Sequence, residues 1–126
     1  IESFKQAIRI QPDDAEAHHR LGLAYAILKR KTEAIESFKQ AIRIQPDDAE
    51  AHHRLGLAYA ILKRKTEAIE SFKQAIRIQP DDAEAHLSLG VAYLSLDDKS
   101  SALDQYKILK NLDKDLANEL FNLIYK

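Results

Sequence analysis

The chain has 126 residues, 19 of them basic and 20 acidic, for a formal net charge of −1. That balance provides no field to steer it onto nucleic acid or an anionic membrane. With no cysteine, disulfides and thiol chemistry are excluded and the compartment stays open. No apolar run reaches the length of a membrane span.

In chain order, the first stretch is IESFKQAIRIQPDD, Ile1 to Asp14, which reads as a lone helix over 1–11 followed by a turn. The same letters return at Ile35 to Asp48 as the second half of a 34-residue unit that begins at Ala15. Within that unit the apolar spacing predicts helix A over 15–28, with His18, Leu21, Gly22, Tyr25 and Leu28 on one face. Helix B follows over 32–45, with Ala34, Ile35, Phe38, Ala41 and Ile42 inward and Glu33, Glu36, Lys39, Gln40 and Arg43 outward. Only Lys29, Arg30 and Lys31 separate the two, a connection short enough to make an antiparallel hairpin.

Residues 49–82 repeat 15–48 letter for letter, so the same helices recur at 49–62 and 66–79. Residues 83–116 keep the period but match the previous unit at only 13 of 34 positions, giving helices at 83–96 and 100–112. A last helix covers 115–125, with Leu116, Leu120, Leu123 and Ile124 as its inner stripe. The chain therefore divides into a half repeat (1–14), three repeats (15–48, 49–82, 83–116) and a closing helix (115–126). Because it starts in mid-repeat, it reads as part of something longer. A period of this length marks a solenoid, in which each unit packs only on its neighbours.

Pro12, Pro46 and Pro80 close the preceding B helices, because proline lacks an amide donor and restricts the residue before it. Each is followed by Asp-Asp. The first aspartate of each pair, Asp13, Asp47 or Asp81, stands three residues before Glu16, Glu50 or Glu84, the spacing of a capping box. Gly22, Gly56 and Gly90 lie inside helices, where glycine costs roughly 1 kcal/mol relative to alanine. Close approach of helix B through Ala34, Ala68 and Ala102 is the expected compensation.

The spacing His18-x2-Leu21-Gly22-x2-Tyr25, then Ala34-x3-Phe38, then Pro46, resembles the tetratricopeptide repeat pattern. The second copy supplies His52, Leu55, Gly56, Tyr59, Ala68, Phe72 and Pro80, and the third His86, Leu89, Gly90, Tyr93, Ala102 and Tyr106, with Lys114 in place of the proline. Histidine stands where the pattern usually has tryptophan. Lys29, Lys63 and Asp97 stand where it often has glycine, at a position that prefers left-handed backbone. The resemblance implies an all-α, right-handed α-solenoid of antiparallel helix pairs with a C-terminal capping helix. It also implies a concave surface, lined by A helices, that holds peptides or helices of partners. Some members grip a C-terminal carboxylate with Lys, Asn and Arg. The matching positions here are His19, Leu23, Arg54, Glu84 and Ser88, so that clamp is absent.

Chemistry is sparse. Adjacent histidines (His18 and His19, His52 and His53) point about 100° apart on a helix, and equivalent ones in successive repeats stand farther apart than ligand reach. His18, His52 and His86 read as packing residues, and no metal or cofactor is expected. No nucleophile motif or glycine-rich loop suggests an enzyme. The basic triplets at 29–31 and 63–65 lie at helix C-termini, where cations complement the dipole, and no aromatic is interleaved for base stacking.

What remains is a second stripe on the A helices, with apolar residues where a solvated helix would be polar. The partner groove expected from it comprises Glu16, His19, Leu23, Ile27, Glu50, His53, Leu57, Ile61, Leu87, Val91 and Leu94. Titration of its histidines near pH 6.5 would tighten an acidic ligand below that pH. The expected function is a non-catalytic scaffold for a protein or peptide, with neither nucleic acid nor membrane as partner. The rival is a structural or engineered array without a natural ligand, favoured by the identity of two units. Such an array would self-associate through its uncapped N-terminal half repeat as a homodimer, or head to tail, with Ile1, Phe4, Ile8, Phe121 and Tyr125 as the contact residues.

Overall fold

The computed structural model describes residues 1–126 and contains eight helices and no strand. They are α1 (Glu2–Ile10), α2 (Ala15–Ile27), α3 (Lys31–Ile44), α4 (Ala49–Ile61), α5 (Lys65–Ile78), α6 (Ala83–Ser95), α7 (Lys99–Leu112) and α8 (Lys114–Ile124). The hairpins α2–α3, α4–α5 and α6–α7 stack in sequence order, α1 packs on α2, and α8 closes the far end against α6 and α7. This is an α-solenoid.

Two turns recur, and both follow from local chemistry. After each A helix, Lys29, Lys63 and Asp97 adopt φ near +60°. The amide of Arg30 then donates to the Tyr25 carbonyl at 2.9 Å and that of Lys29 to Ala26 at 3.0 Å, the paired bonds of a Schellman ending. Left-handed backbone is thus required there although no glycine supplies it.

After α1, α3 and α5 the Pro-Asp-Asp turn sets the next helix start one residue later than the capping-box reading. The Asp48 amide donates to the Gln45 carbonyl at 3.3 Å, which places Pro46 second in a four-residue turn and leaves Asp48 as N-cap. Asp48 accepts from the Ala51 amide at 3.1 Å, as does Asp14 from Ala17, and Asp82 accepts from Ala85 at 3.3 Å. Glu50 is then the second helical residue, and alanine occupies the third, so no capping box forms. The displaced Asp13 and Asp47 instead lie 3.5 and 3.8 Å from Arg43 and Arg77 of the next B helix.

The packing has two centres. A cluster of 13 buried residues, including Leu21, Tyr25, Phe38, Leu55, Tyr59, Phe72 and Leu89, runs through α2 to α6. A second of five, Ala102, Leu109, Ala117, Leu120 and Ile124, joins α7 to α8. In the closing helix Ala117 therefore takes the inward place expected of Leu123, which is 38 % exposed. The glycines face something other than the expected alanines. A Cβ on Gly22 would sit 2.7 Å from the Phe38 ring, one on Gly56 2.5 Å from the Phe72 ring, and one on Gly90 2.7 Å from Leu120 of α8. Each glycine is a slot for a large side chain, and helix B approaches through its phenylalanine.

His18, His52 and His86 tie this packing to the turns. Each ring Nε2–H donates to the carbonyl of the proline six residues earlier, Pro12, Pro46 or Pro80, at 3.0, 2.9 and 2.7 Å. An indole in that place would also offer one N–H, so histidine keeps the donor while occupying less volume.

Candidate functional site

Successive A helices meet at joints built around the second histidine of each His-His pair. At the first joint His19, from α2, is buried. Its Nδ1 lies 3.2 Å from Asp48 Oδ2 and its Nε2 3.1 Å from Glu50 Oε2, both on α4 or its cap. Its ring meets Phe38 edge-on at 5.8 Å. At the second joint His53 meets Phe72 in the same way at 5.6 Å. Its Nε2, however, is hydrogen-bonded to the Ser88 hydroxyl at 2.9 Å, where the first joint has Arg54 in the equivalent position. Burial holds the His53 imidazole below its ordinary titration range. Asp82 opposes that shift, Arg54 adds to it, and Glu84 and Glu50 oppose it.

Along the face formed by α4 and α6, two concavities adjoin. One, of about 640 Å³, lies at the N-terminal ends of the helices and is lined by Asp47, Asp48, Glu50, His53, Arg54, Leu57, Asp82 and Glu84, among others. The other, about 340 Å³, lies farther along and is lined mostly by Leu57, Ala60, Phe72, Leu87, Val91 and Ala92, with Lys65, Ser88 and Ser95 at its edge. Leu57 lines both, so they form one groove with a carboxylate-rich end and an apolar end. A smaller hollow of about 320 Å³ at the first joint holds Glu16, His19, Arg20, Leu23, Asp48 and Glu50.

Of the residues expected in the groove from sequence, the structure brings Glu50, His53 and Leu57 together at the acidic end, and Leu57, Leu87 and Val91 at the apolar end. Glu16, His19 and Leu23 share the hollow at the first joint, where His19 presents little surface. Ile27, Ile61 and Leu94 line none of the three; Ile27 and Ile61 are exposed, and Leu94 packs toward the C-terminal cluster. The sequence reading missed Asp47, Asp48 and Asp82, which reach the groove from turns, and Phe72 and Lys65, which reach it from α5. Among the contact residues expected for self-association, Ile1, Phe4 and Ile8 are half-buried against the first cluster. Phe121 and Tyr125 are exposed and continue a ring ladder from Tyr106, with centroids 5.4 and 4.8 Å apart.

Three of the six basic turn residues, Arg30, Arg64 and Lys65, are engaged within the chain. The Arg30 and Arg64 guanidinium groups each lie 4.8 Å over the preceding tyrosine, Tyr25 or Tyr59, and pair with Glu33 or Glu67. Lys65 Nζ donates to the Ser95 carbonyl at the C-terminal end of α6, at 2.9 Å. No three His, Cys, Asp or Glu side chains are grouped to hold a metal ion. No helix is long and apolar enough to cross a membrane.

The stacked hairpins, their glycine slots and their left-handed turns recur at one period. The TPR repeat family profile matches residues 1–29, 28–63 and 61–97. The chain belongs to the tetratricopeptide repeat family. Solved structures agree with this tetratricopeptide fold. A crystal structure of MamA superposes with a TM-score of 0.92 at 26 % identity, covering 98 % of this chain and 74 % of that one. A second MamA structure gives 0.91 at 26 % identity, with 98 % and 69 % covered. MamA from Desulfovibrio magneticus RS-1 gives 0.82 at 24 % identity, with 89 % and 63 % covered, a likeness of fold alone. No curated protein sequence matches. As a tetratricopeptide array the chain is, in general terms, a protein-interaction scaffold with protein partners, in a family whose members are typically not enzymes.

Proposed function

We propose that this scaffold is non-catalytic and holds a peptide or a helix of a protein partner in the groove along α4 and α6, extending toward α2. The observation that carries the reading is the apolar end of the groove. Leu57 and Val91 are 37 % and 42 % exposed there, over the edge of the buried Phe72 ring, and are rimmed by Lys65, Ser88 and Ser95. Exposed apolar side chains gathered in a polar rim mark interaction sites rather than solvated helix. Nucleic acid and membrane are left out of the reading because the charge is balanced at −1 and three of the six basic turn residues, Arg30, Arg64 and Lys65, have internal partners. A peptide-array screen on the intact chain tests it. Ligands found should lose at least tenfold in affinity on Leu57→Glu, which places a charge at the junction of the two ends without disturbing a buried residue. Affinity unchanged by Leu57→Glu would refute the groove. A screen that returns no ligand would favour the rival, an array without one.

A further inference from the structure

We propose that the groove selects a basic amphipathic segment of its partner: a lysine or arginine for the carboxylate-rich end and a large apolar side chain for the end at Leu57 and Val91. This rests on the groove reading and adds the chemistry of the ligand.

The lining of the polar end carries five carboxylates, Asp47, Asp48, Glu50, Asp82 and Glu84, against one guanidinium, Arg54. They are not all consumed internally. Glu84 has no ion-pair partner, whereas Glu50 is held by His19 at 3.1 Å and approached by Arg54 at 3.9 Å, and Asp47 lies 3.8 Å from Arg77. Asp48 and Asp82 each give one oxygen to a helix amide, and Asp82 has no second partner. His53 adds no positive charge at neutral pH, since burial keeps its ring neutral. An acidic ligand would meet repulsion here, which reverses the expectation drawn from the histidines alone. At the other end the single cation, Lys65, is held by the Ser95 carbonyl. The groove thus offers charge to one part of a ligand and apolar surface to another.

Their separation fixes a spacing. Glu50 and Leu57 are seven residues apart on α4, as are Glu84 and Val91 on α6, which is about 10 Å along a helix axis. An extended ligand covers that distance in about three residues and a helical one in about seven. The recognised pattern is therefore a cation and an apolar residue at i and i+3 in an extended segment, or at i and i+7 in a helix.

The test is selection from a random library of 12-residue peptides by the intact chain, followed by affinity measurements on the Glu50→Gln/Glu84→Gln double variant and on Leu57→Glu. The expected result is enrichment of Lys or Arg at one of these two spacings from Leu, Ile or Phe. Selected peptides should weaken about threefold or more on the double variant, the scale of exposed ion pairs, and bind less tightly in high salt. Acidic or neutral peptides that still require Leu57 would overturn the charge assignment and leave the groove standing. Basic peptides indifferent to Leu57→Glu would bind elsewhere and overturn both. So would a library that yields no binder.

Discussion

In the second repeat the slot over Gly56 is filled by Phe72, from the repeat's own B helix. In the third, the slot over Gly90 is filled by Leu120, from the helix that follows the repeat. The reason lies in sequence drift. Tyr106 stands where Phe72 would be, and its ring stacks on Phe121 instead of occupying the slot. The joints differ in parallel. His19 is bound by two carboxylates, whereas His53, with the same neighbours on its own helix, is bound by the hydroxyl of Ser88. Identical repeats give identical interiors, and the differences arise wherever the next unit contributes the partner. In a solenoid, then, a residue's environment is set by two units, so copying one unit does not fix its surroundings.

The largest expected effect separates the two slots. A methyl group on Gly56 would meet the ring of Phe72, which is 1 % exposed and has nowhere to move. Overpacking of this kind costs typically 1–3 kcal/mol, more than the roughly 1 kcal/mol that alanine gains over glycine in a helix. Gly56→Ala should therefore lower stability, and Gly56→Leu should loosen or unfold the array. On Gly90 the same methyl would meet the two Cδ ends of Leu120, which is just as buried but is a small branched side chain rather than a rigid ring, so it can give by a few tenths of an ångström. There the overlap is relieved in part, and Gly90→Ala should cost less stability than Gly56→Ala. Urea denaturation of both variants checks the contrast; equal losses would show that the two slots are equally rigid.

The second prediction converts one joint toward the other. Ser88→Asp places a carboxylate where His53 now meets a hydroxyl. In the parent, burial depresses the His53 pKa, so the folded state holds this proton less readily than the unfolded one. Its contribution to stability is present above about pH 6.5, the unfolded value, and is lost as pH falls through the depressed folded value. A carboxylate at that distance favours the imidazolium. Ser88→Asp should raise the His53 midpoint in an NMR titration and reduce the drop in urea midpoint between pH 7 and pH 5. A midpoint that stays or falls would mean that burial, not the partner, governs this joint.

Much of this was legible in the sequence. The period and the hairpins follow from the letters, because an exact repeat fixes its own register, and the left-handed position at Lys29, Lys63 and Asp97 follows from the resemblance to the tetratricopeptide pattern. The cap was misplaced by one residue, because Pro-Asp-Asp offers two carboxylates and the choice is made by a backbone bond from Asp48 to Gln45. The slot partner was misjudged because a helical wheel reports direction but not reach, and the phenylalanine ring extends past Ala34. Of the groove, the apolar end was visible as Leu57 and Val91 on an otherwise polar face. The acidic end was not, since Asp47, Asp48 and Asp82 lie between helices, where periodicity assigns no face. Only the stacking of one hairpin on the next gathers them around His53.

The smallest expected effect compares the left-handed turns themselves. Lys63 and Asp97 both hold φ at 61°, and neither side chain makes a hydrogen bond or ion pair, so substitution alters little except the backbone. For a residue with a Cβ this conformation costs roughly 1–2 kcal/mol. Glycine removes that cost but enlarges the conformational freedom of the unfolded chain by roughly 0.5–1 kcal/mol. Lys63→Gly should therefore stabilise by up to about 1 kcal/mol. Aspartate, with its shorter side chain, populates left-handed backbone more readily than lysine. The cost relieved at Asp97 is smaller, and Asp97→Gly should come out near zero. Urea midpoints of the two variants, each read against the parent, give the difference directly. A gain at Asp97 equal to or above that at Lys63 would mean that the third turn carries strain the first two do not.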